Sequence, residues 1–262
     1  MKQKVRGLNL PDKKKDARPG KNSDIAKEDM FPLRLQVYLA RCGVASRRGS
    51  EAFIIAGRVS VNGSTVSELG TKVEKGDSVL VDGKPIQLEE KKRYVLLHKP
   101  AGFVCSAKDE KGRQSALDLL KPHFTERLFT IGRLDMFSSG LLLCTNDGDF
   151  AAKLAHPSSG LEKEYLVVTT TPIPQELLRQ FTKGIRIADV FYKCKAAELV
   201  NPYTMRITLV EGKNREIRRV CDHFNITIKR LIRTRIGFLE LDGLELGSYR
   251  ELTADEVKKL AL

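Results

Sequence analysis

The strongest constraint on the fold is the stretch from Gly132 to Gly148, Gly-Arg-Leu-Asp-Met-Phe-Ser-Ser-Gly-Leu-Leu-Leu-Cys-Thr-Asn-Asp-Gly. Leu141 to Cys144 is apolar at every position, which reads as a buried strand and not as one with a wet face. A small polar turn precedes that strand, and Asp147-Gly148 reads as a tight turn after it. The strand fixes the backbone, so the loop ahead of it presents Asp135 at a defined place. Arg133 flanks this acid, and a neighbouring cation favours the ionised form of a carboxylate where water is partly excluded. On these residues alone, a functional acid and a salt-bridged loop aspartate are equally good readings.

Other features narrow the choice. With 262 residues, 41% of them hydrophobic, the chain has material for one large or two smaller domains with substantial cores. A net charge of +13 points to a polyanionic partner. Nucleic acid is the commonest such partner, and basic residues kept for solubility are the alternative. The five cysteines are odd in number and form no C-x-x-C pair, so neither a disulfide framework nor a zinc site is expected. That pattern fits a reducing cytoplasm. No apolar run approaches the ~18 residues of a membrane span, and the N-terminus is too polar for a secretory signal, so no membrane partner is expected.

Residues 1–31 are lysine-rich, and through residue 28 nine Lys or Arg stand against four acids, the composition of a disordered basic arm. From Leu33 a helical pattern begins, with Leu35, Tyr38, Leu39 and Cys42 on one face and Gly43 as the stop. Ser46 caps a second short helix that closes at Gly57. Alternating valines then mark strands around the turns Asn62-Gly63, Gly76-Asp77 and Asp82-Gly83. The order of Leu35-Gln36-Val37-Tyr38-Leu39-Ala40, Gly43-Val44-Ala45-Ser46-Arg47-Arg48 and Gly57-Arg58-Val59-Ser60-Val61-Asn62-Gly63 resembles the S4 RNA-binding module. The resemblance implies an S4 domain over residues 32–86, with Arg47, Arg48 and Arg58 facing RNA, where guanidiniums pair phosphates bidentately.

Residues 87–93 are polar and read as a linker. A second domain over 94–262 begins with a short apolar strand, Tyr94 to Leu97, turned by Lys99-Pro100-Ala101-Gly102 into a strand over Phe103 to Ser106. A brief helix is expected from Asp118 to Lys121. Strand patterns cover 128–131, 165–170, 193–199, 205–210 and 238–241, with helices near 175–181 and 216–224. The mixture makes the fold class α+β.

Several chemistries are excluded. A calcium loop with Gly148 at its sixth position would put Leu143 and Leu154 where oxygen donors are required. His98, His123, His156 and His223 form no H-x-x-x-H pair, so no metal site is expected. Neither G-x-x-x-x-G-K nor G-x-G-x-x-G occurs, so no nucleotide cofactor is implied. Between Met205 and Arg235, by contrast, nine Lys or Arg face three acids. On a helix beginning near Asn214, Arg215, Arg218, Arg219 and Asp222 share a face, which beside strands and a candidate acid favours an RNA groove over a solvated surface.

Four motifs in order resemble the RsuA-type ribosomal RNA pseudouridine synthases: Lys99-Pro100-Ala101-Gly102, Gly132-Arg133-Leu134-Asp135, Lys163-Glu164-Tyr165, and Glu211-Gly212-Lys213-Asn214-Arg215-Glu216-Ile217-Arg218-Arg219. The resemblance spans nearly everything from residue 33 onward. It implies a mixed, largely antiparallel sheet with a cleft across its middle, Asp135 as catalytic aspartate, Tyr165 as active-site tyrosine and Arg218 as the aspartate's basic partner. Candidate RNA contacts in this half are Lys99, Arg133, Lys163, Arg215 and Arg219. It also implies uridine isomerisation without cofactor or metal, on ribosomal RNA. The segment Asn214-Arg215-Glu216-Ile217-Arg218-Arg219, followed by Cys221-Asp222-His223-Phe224 and the ending Leu246-Gly247-Ser248-Tyr249-Arg250-Glu251-Leu252, looks more like the enzymes of 23S RNA, with 16S RNA or transfer RNA as the alternative. Two rivals are a binding-only RNA protein, for which Asp135 is dispensable, and a metal-dependent nuclease ligating through Asp135 and Asp147. Too few clustered carboxylates speak against the second.

Overall fold

The computed structural model describes residues 30–106, 109 and 111–261; the basic arm expected over 1–31 falls, up to residue 29, outside the described residues. Two short helices, α1 (Leu35–Arg41) and α2 (Arg47–Ile55), open the chain's first unit. Ser46 caps α2 as expected, its hydroxyl accepting from the Gly49 amide at 3.1 Å. Strands β1 (Leu33–Arg34) and β4 (Lys72–Val73) pair with each other. The strands β2 (Val59–Val61), β3 (Ser64–Val66), β5 (Val79–Val81) and β6 (Lys84–Pro85) form a sheet in the order β3-β2-β5-β6. Leu35, Leu39, Ile54, Val59 and Val73 make the core, and Met30 and Phe31 pack against it.

The second unit is organised by a nine-stranded sheet. Its members are β7 (Tyr94–Lys99), β8 (Phe129–Ile131), β9 (Ser139–Thr145), β10 (Lys163–Thr169), β13 (Ala196–Asn201), β14 (Thr204–Leu209), β15 (Ile228–Ile236), β16 (Leu239–Glu240) and β17 (Tyr249–Glu251). A hairpin of β11 (Ile185–Ile187) and β12 (Val190–Tyr192) stands apart. The order is β13-β14-β10-β15-β9-β7-β17, with β8 on β9 and β16 on β15. The β9–β15 ladder is parallel and the sheet's other ladders are antiparallel, which is the mixed, largely antiparallel sheet of an α+β fold. Four helices cover it: α3 (Gly148–Ala155), α4 (Gln175–Lys183), α5 (Glu216–His223) and α6 (Ala254–Leu260).

The unbroken apolar run of β9 now has its reason. Leu141 and Leu143 enter the core under α3 and α6, while Leu142 and Cys144 enter the one on the opposite face. Each fully buried leucine stabilises by roughly 2 kcal/mol relative to exposure, so the strand is anchored from both sides. Gly140 begins the crossing with β15, where it lies opposite Arg233 at φ +111°, and a Cβ there would overlap the Arg233 backbone. No side chain fits that approach.

Four expectations change. Asp147-Gly148 is no tight turn: Asp147 caps α3 by accepting from the amides of Asp149 and Phe150, a helix that turn chemistry had masked. Phe103 to Ser106 is not a strand, since only Val104 bridges, to Ser115. The helix expected at 118–121 is a 3-10 turn at Ala116–Leu119, set by a Ser115 capping box. The polar stretch over 87–93 is docked instead of free. Glu89 accepts from the Arg127 amide at 2.8 Å and from the Asn146 side chain at 2.7 Å, and Asn146 in turn accepts from the Arg93 amide at 2.8 Å. Arg41 adds a bond to Asp149 at the start of α3.

Candidate active site

The loop between β8 and β9 carries Asp135, and its backbone is held at successive residues. Ser138 N–H donates to the Asp135 carbonyl at 3.0 Å, and Gly102 N–H donates to the Met136 carbonyl at 2.7 Å. Arg218 Nη2 donates to the Phe137 carbonyl and to Ser138 Oγ, both at 3.1 Å. The Asp135 side chain is 41% exposed, and its Oδ2 lies 3.5 Å from Arg218 Nε. Arg133, the sequence neighbour expected to partner the acid, is exposed on the rim.

Arg218 comes from α5, whose start departs from expectation. Arg215 sits ahead of the helix as its N-cap, in the left-handed region at φ 51°, and it lines the same cleft as Arg218. Glu216 closes this turn: its carboxylate accepts from the Lys213 amide at 3.1 Å, and burial pushes its pKa up. Arg219 donates to the Tyr192 hydroxyl at 3.0 Å, which commits it to the β12 hairpin.

Tyr165 lies mid-strand on β10, opposite Arg233 on β15 and Ile207 on β14, and is 8% exposed. It lines the same cleft as Asp135, Ser138 and Arg218. A second lobe of about 470 Å³ continues past Tyr165 to Lys163, Arg233 and His156. Lys163 is half-buried and donates to the Val210 carbonyl at 2.8 Å; burial, then the nearby Arg233, lowers its pKa. Arg233 is almost wholly buried, donates from Nε to the Leu141 carbonyl at 2.7 Å, and keeps a buried Nη2 without a partner among the described residues.

Lys99 requires a correction. Expected on the RNA-facing surface, it is fully buried, and its ammonium donates to the carbonyls of Pro100 (2.8 Å), Phe103 (2.9 Å) and Met136 (3.5 Å). Burial pushes its pKa down to about 8. It therefore ties the turn after β7 to the Asp135 loop. A lysine ending an apolar strand and followed by Pro-Ala-Gly was the available signal. Glu216 and Arg233 were also missed as structural parts of the site, because both sat within a count of charges.

In the first unit Arg47 and Arg48 are exposed on α2. Arg58 is committed: it bonds Asp82 at 2.8 and 2.6 Å and lies 4.1 Å over the Phe53 ring. The nuclease alternative fails on geometry, since Asp147 Oδ1 caps α3 and its Oδ2 accepts from Tyr94 at 2.8 Å. Among the described residues no group of three or more His, Cys, Asp or Glu side chains is arranged to hold a metal, and no helix is long and apolar enough to cross a membrane.

The family model for RNA pseudouridylate synthases matches residues 93–223, and that for S4 domains matches 33–79. The chain is 42% identical over 233 residues to ribosomal large subunit pseudouridine synthase B of Bacillus subtilis strain 168, covering 87% of this chain and 95% of that one. It is 40% identical over 228 residues to dual-specificity RNA pseudouridine synthase RluF of Escherichia coli K12, covering 86% and 77%. A crystal structure of a pseudouridylate synthase superposes with a TM-score of 0.64 at 28% identity, covering 87% of this chain and 99% of that one. An S4 module ahead of a cleft that joins an aspartate, an arginine and a tyrosine, with likeness running through both, makes this chain a member of the RNA pseudouridylate synthase family, an enzyme that isomerises uridine in RNA.

Proposed function

We propose that the substrate is a uridine of 23S ribosomal RNA, and that Asp135 supplies the reacting carboxylate, with Arg218 and Tyr165 completing the site. The observation that carries the residue assignment is the Asp135–Arg218 pair, 3.5 Å apart and open to the cleft that Tyr165 lines. The isomerisation breaks the C1′–N1 bond and forms a C1′–C5 bond. A proton leaves C5 and one is taken up at N1, so the sum of atoms and the oxidation level are unchanged. Asp135 can add covalently or act on the ribose as the glycosidic bond breaks, and both routes need an ionised carboxylate with a free oxygen. Arg218 serves by charge and by holding the loop. Tyr165 offers a ring to cover the uracil and a hydroxyl for proton relay.

A uridine stacked in RNA has to leave its stack before these groups can touch it. Exposed Arg133, Lys213 and Arg215 on the rim suit the flanking phosphates, and Arg47 and Arg48 offer a second grip from the module. The working division is an S4 domain over 32–86, a joint over 87–93 and a catalytic domain over 94–262. Ribosomal RNA as substrate puts the protein to work in the cytoplasm. The name of the Bacillus subtilis relative supports the large-subunit target. The dual-specificity name of the Escherichia coli relative favours a second reading, in which another RNA is modified as well.

Purified protein incubated with protein-free 16S, 23S and transfer RNA transcripts, each mapped for pseudouridine, tests the target. The expected result is modification of 23S RNA. Modification confined to 16S RNA overturns the target and leaves the chemistry standing, and modification of transfer RNA alongside 23S establishes the dual reading.

A further inference from the structure

Phe137 is the most exposed large apolar side chain among the described residues, 69% open, and it stands two positions beyond Asp135. A single exposed ring on a loose loop would mean little, since soluble proteins show such residues routinely. Here the loop is held. The carbonyls of Asp135, Met136 and Phe137 each accept a bond, from Ser138, from Gly102 with Lys99, and from Arg218. The guanidinium that faces the Asp135 carboxylate is the one that grips the Phe137 carbonyl, so the backbone that carries the ring is fixed relative to the acid.

Two further facts give the ring a ligand class. The cleft that the same loop borders through Asp135 and Ser138 carries the exposed cations Arg133 and Arg215. Aromatic rings set among cations form stacking platforms for single-stranded nucleic acid, because every base has a π-face and the backbone is anionic. The reaction itself then supplies the occupant. Extruding the target uridine uncovers a face of the base next to it, at a cost that the enzyme has to offset.

We propose that Phe137 stacks on a nucleobase adjacent to the target uridine and covers the face that extrusion exposes, an inference that rests on Asp135 being the reacting acid. The ring is thus a positioning residue, favouring RNAs in which a base and not a gap lies beside the uridine. Removing it lowers kcat/KM about tenfold, the scale of one base–aromatic stack.

The chain contains no tryptophan, so Phe137→Trp places the sole indole of the full-length protein at this position. Its emission is expected to fall when a synthetic 23S stem-loop saturates the protein, and to recover when the base beside the uridine is replaced by an abasic nucleotide. Tyr203→Trp, at the exposed turn between β13 and β14, serves as the control and stays unchanged. In turnover, Phe137→Leu loses about tenfold on the intact stem-loop and nothing on the abasic-flanked one, with an unaltered thermal midpoint. An indole whose emission is unmoved at saturation, read independently by anisotropy, overturns the stack. So does a Phe137→Leu penalty that persists beside the abasic site. Turnover kept by Asp135→Asn on the same stem-loop overturns the reading of Asp135 instead, and the emission still reports on the ring.

Discussion

In the S4 module Arg58 grips Asp82 through two bonds of 2.8 and 2.6 Å, whereas in the cleft Arg218 stands 3.5 Å from Asp135. The first pair is exposed and bidentate, and the Arg58 guanidinium holds the Asp82 carboxyl below the usual carboxylate range. Its oxygens are occupied, and the arginine lies over Phe53 as well. The second pair is arranged differently. Arg218 is fixed by the Phe137 carbonyl and Ser138 Oγ, and it faces Asp135 at a distance that leaves the carboxylate open to the cleft. A tight ion pair fastens a surface, and a loose one whose cation is independently held leaves an acid free to react.

The largest effect that would break this contrast is at Arg218. Arg218→Ala should slow pseudouridine formation at least about a hundredfold in single turnover, the scale of losing a preorganised electrostatic partner. Arg218→Lys should recover part of the rate, because a point charge replaces the fork that reaches both loop and acid. An Ala variant with the wild-type rate would make the pair incidental.

Lys99 comes next. Lys99→Met keeps the length and removes the ammonium from three carbonyls, an expected loss of about 1–3 kcal/mol by urea unfolding, with turnover falling as the Met136 carbonyl keeps only its bond from the Gly102 amide. The pH dependence adds a signature. The buried ammonium titrates at about 8, below its ordinary value near 10.5, so between these pH values the unfolded chain binds more protons than the folded one. Stability of the wild type should therefore rise relative to Lys99→Met as pH goes from 8 to 10.5, and a difference that shrinks or stays flat would contradict the burial of that charge.

Much of this architecture was legible in the residues. The run Leu141–Cys144 announced a doubly covered strand, Ser46 a helix cap, and the motif order the pairing of Asp135 with Arg218. The features that stayed hidden depended on long-range placement. Asp-Gly serves turns and helix N-termini alike, and only the packing of Phe150 and Leu154 makes a helix of the segment after Asp147. Lys99 looks like any surface lysine until Met136, 37 residues on, supplies a carbonyl. Residues 87–93 read as a spacer because nothing local shows that Glu89 meets Arg127 and Asn146 across the fold. Removing residues 1–92 would therefore strip partners from the catalytic domain as well as remove the module.

Smaller effects sharpen the comparison at the joint and on the module. Glu89→Ala leaves the Arg127 amide and the Asn146 side chain without their carboxylate, and should raise the rate of proteolytic cutting over 87–93 while lowering turnover only a few-fold. An unchanged cleavage pattern would mean that the module is held elsewhere. Arg58→Ala should have the smallest consequence. With its guanidinium committed to Asp82, the log–log salt slope of RNA binding should stay as in the wild type, whereas Arg47→Ala or Arg48→Ala should reduce it by about one. A reduced slope in Arg58→Ala would put that arginine on a phosphate after all.

The most direct measurement compares wild type and Asp135→Asn on one 23S transcript, reading pseudouridine formation and RNA affinity side by side. The expected result is no detectable pseudouridine with affinity within a few-fold of wild type, as for a carboxylate that acts in the chemistry and adds little to the hold on a polyanion. An Asn variant that keeps a tenth of wild-type turnover, or one that loses RNA binding together with activity, would contradict Asp135 as the reacting acid.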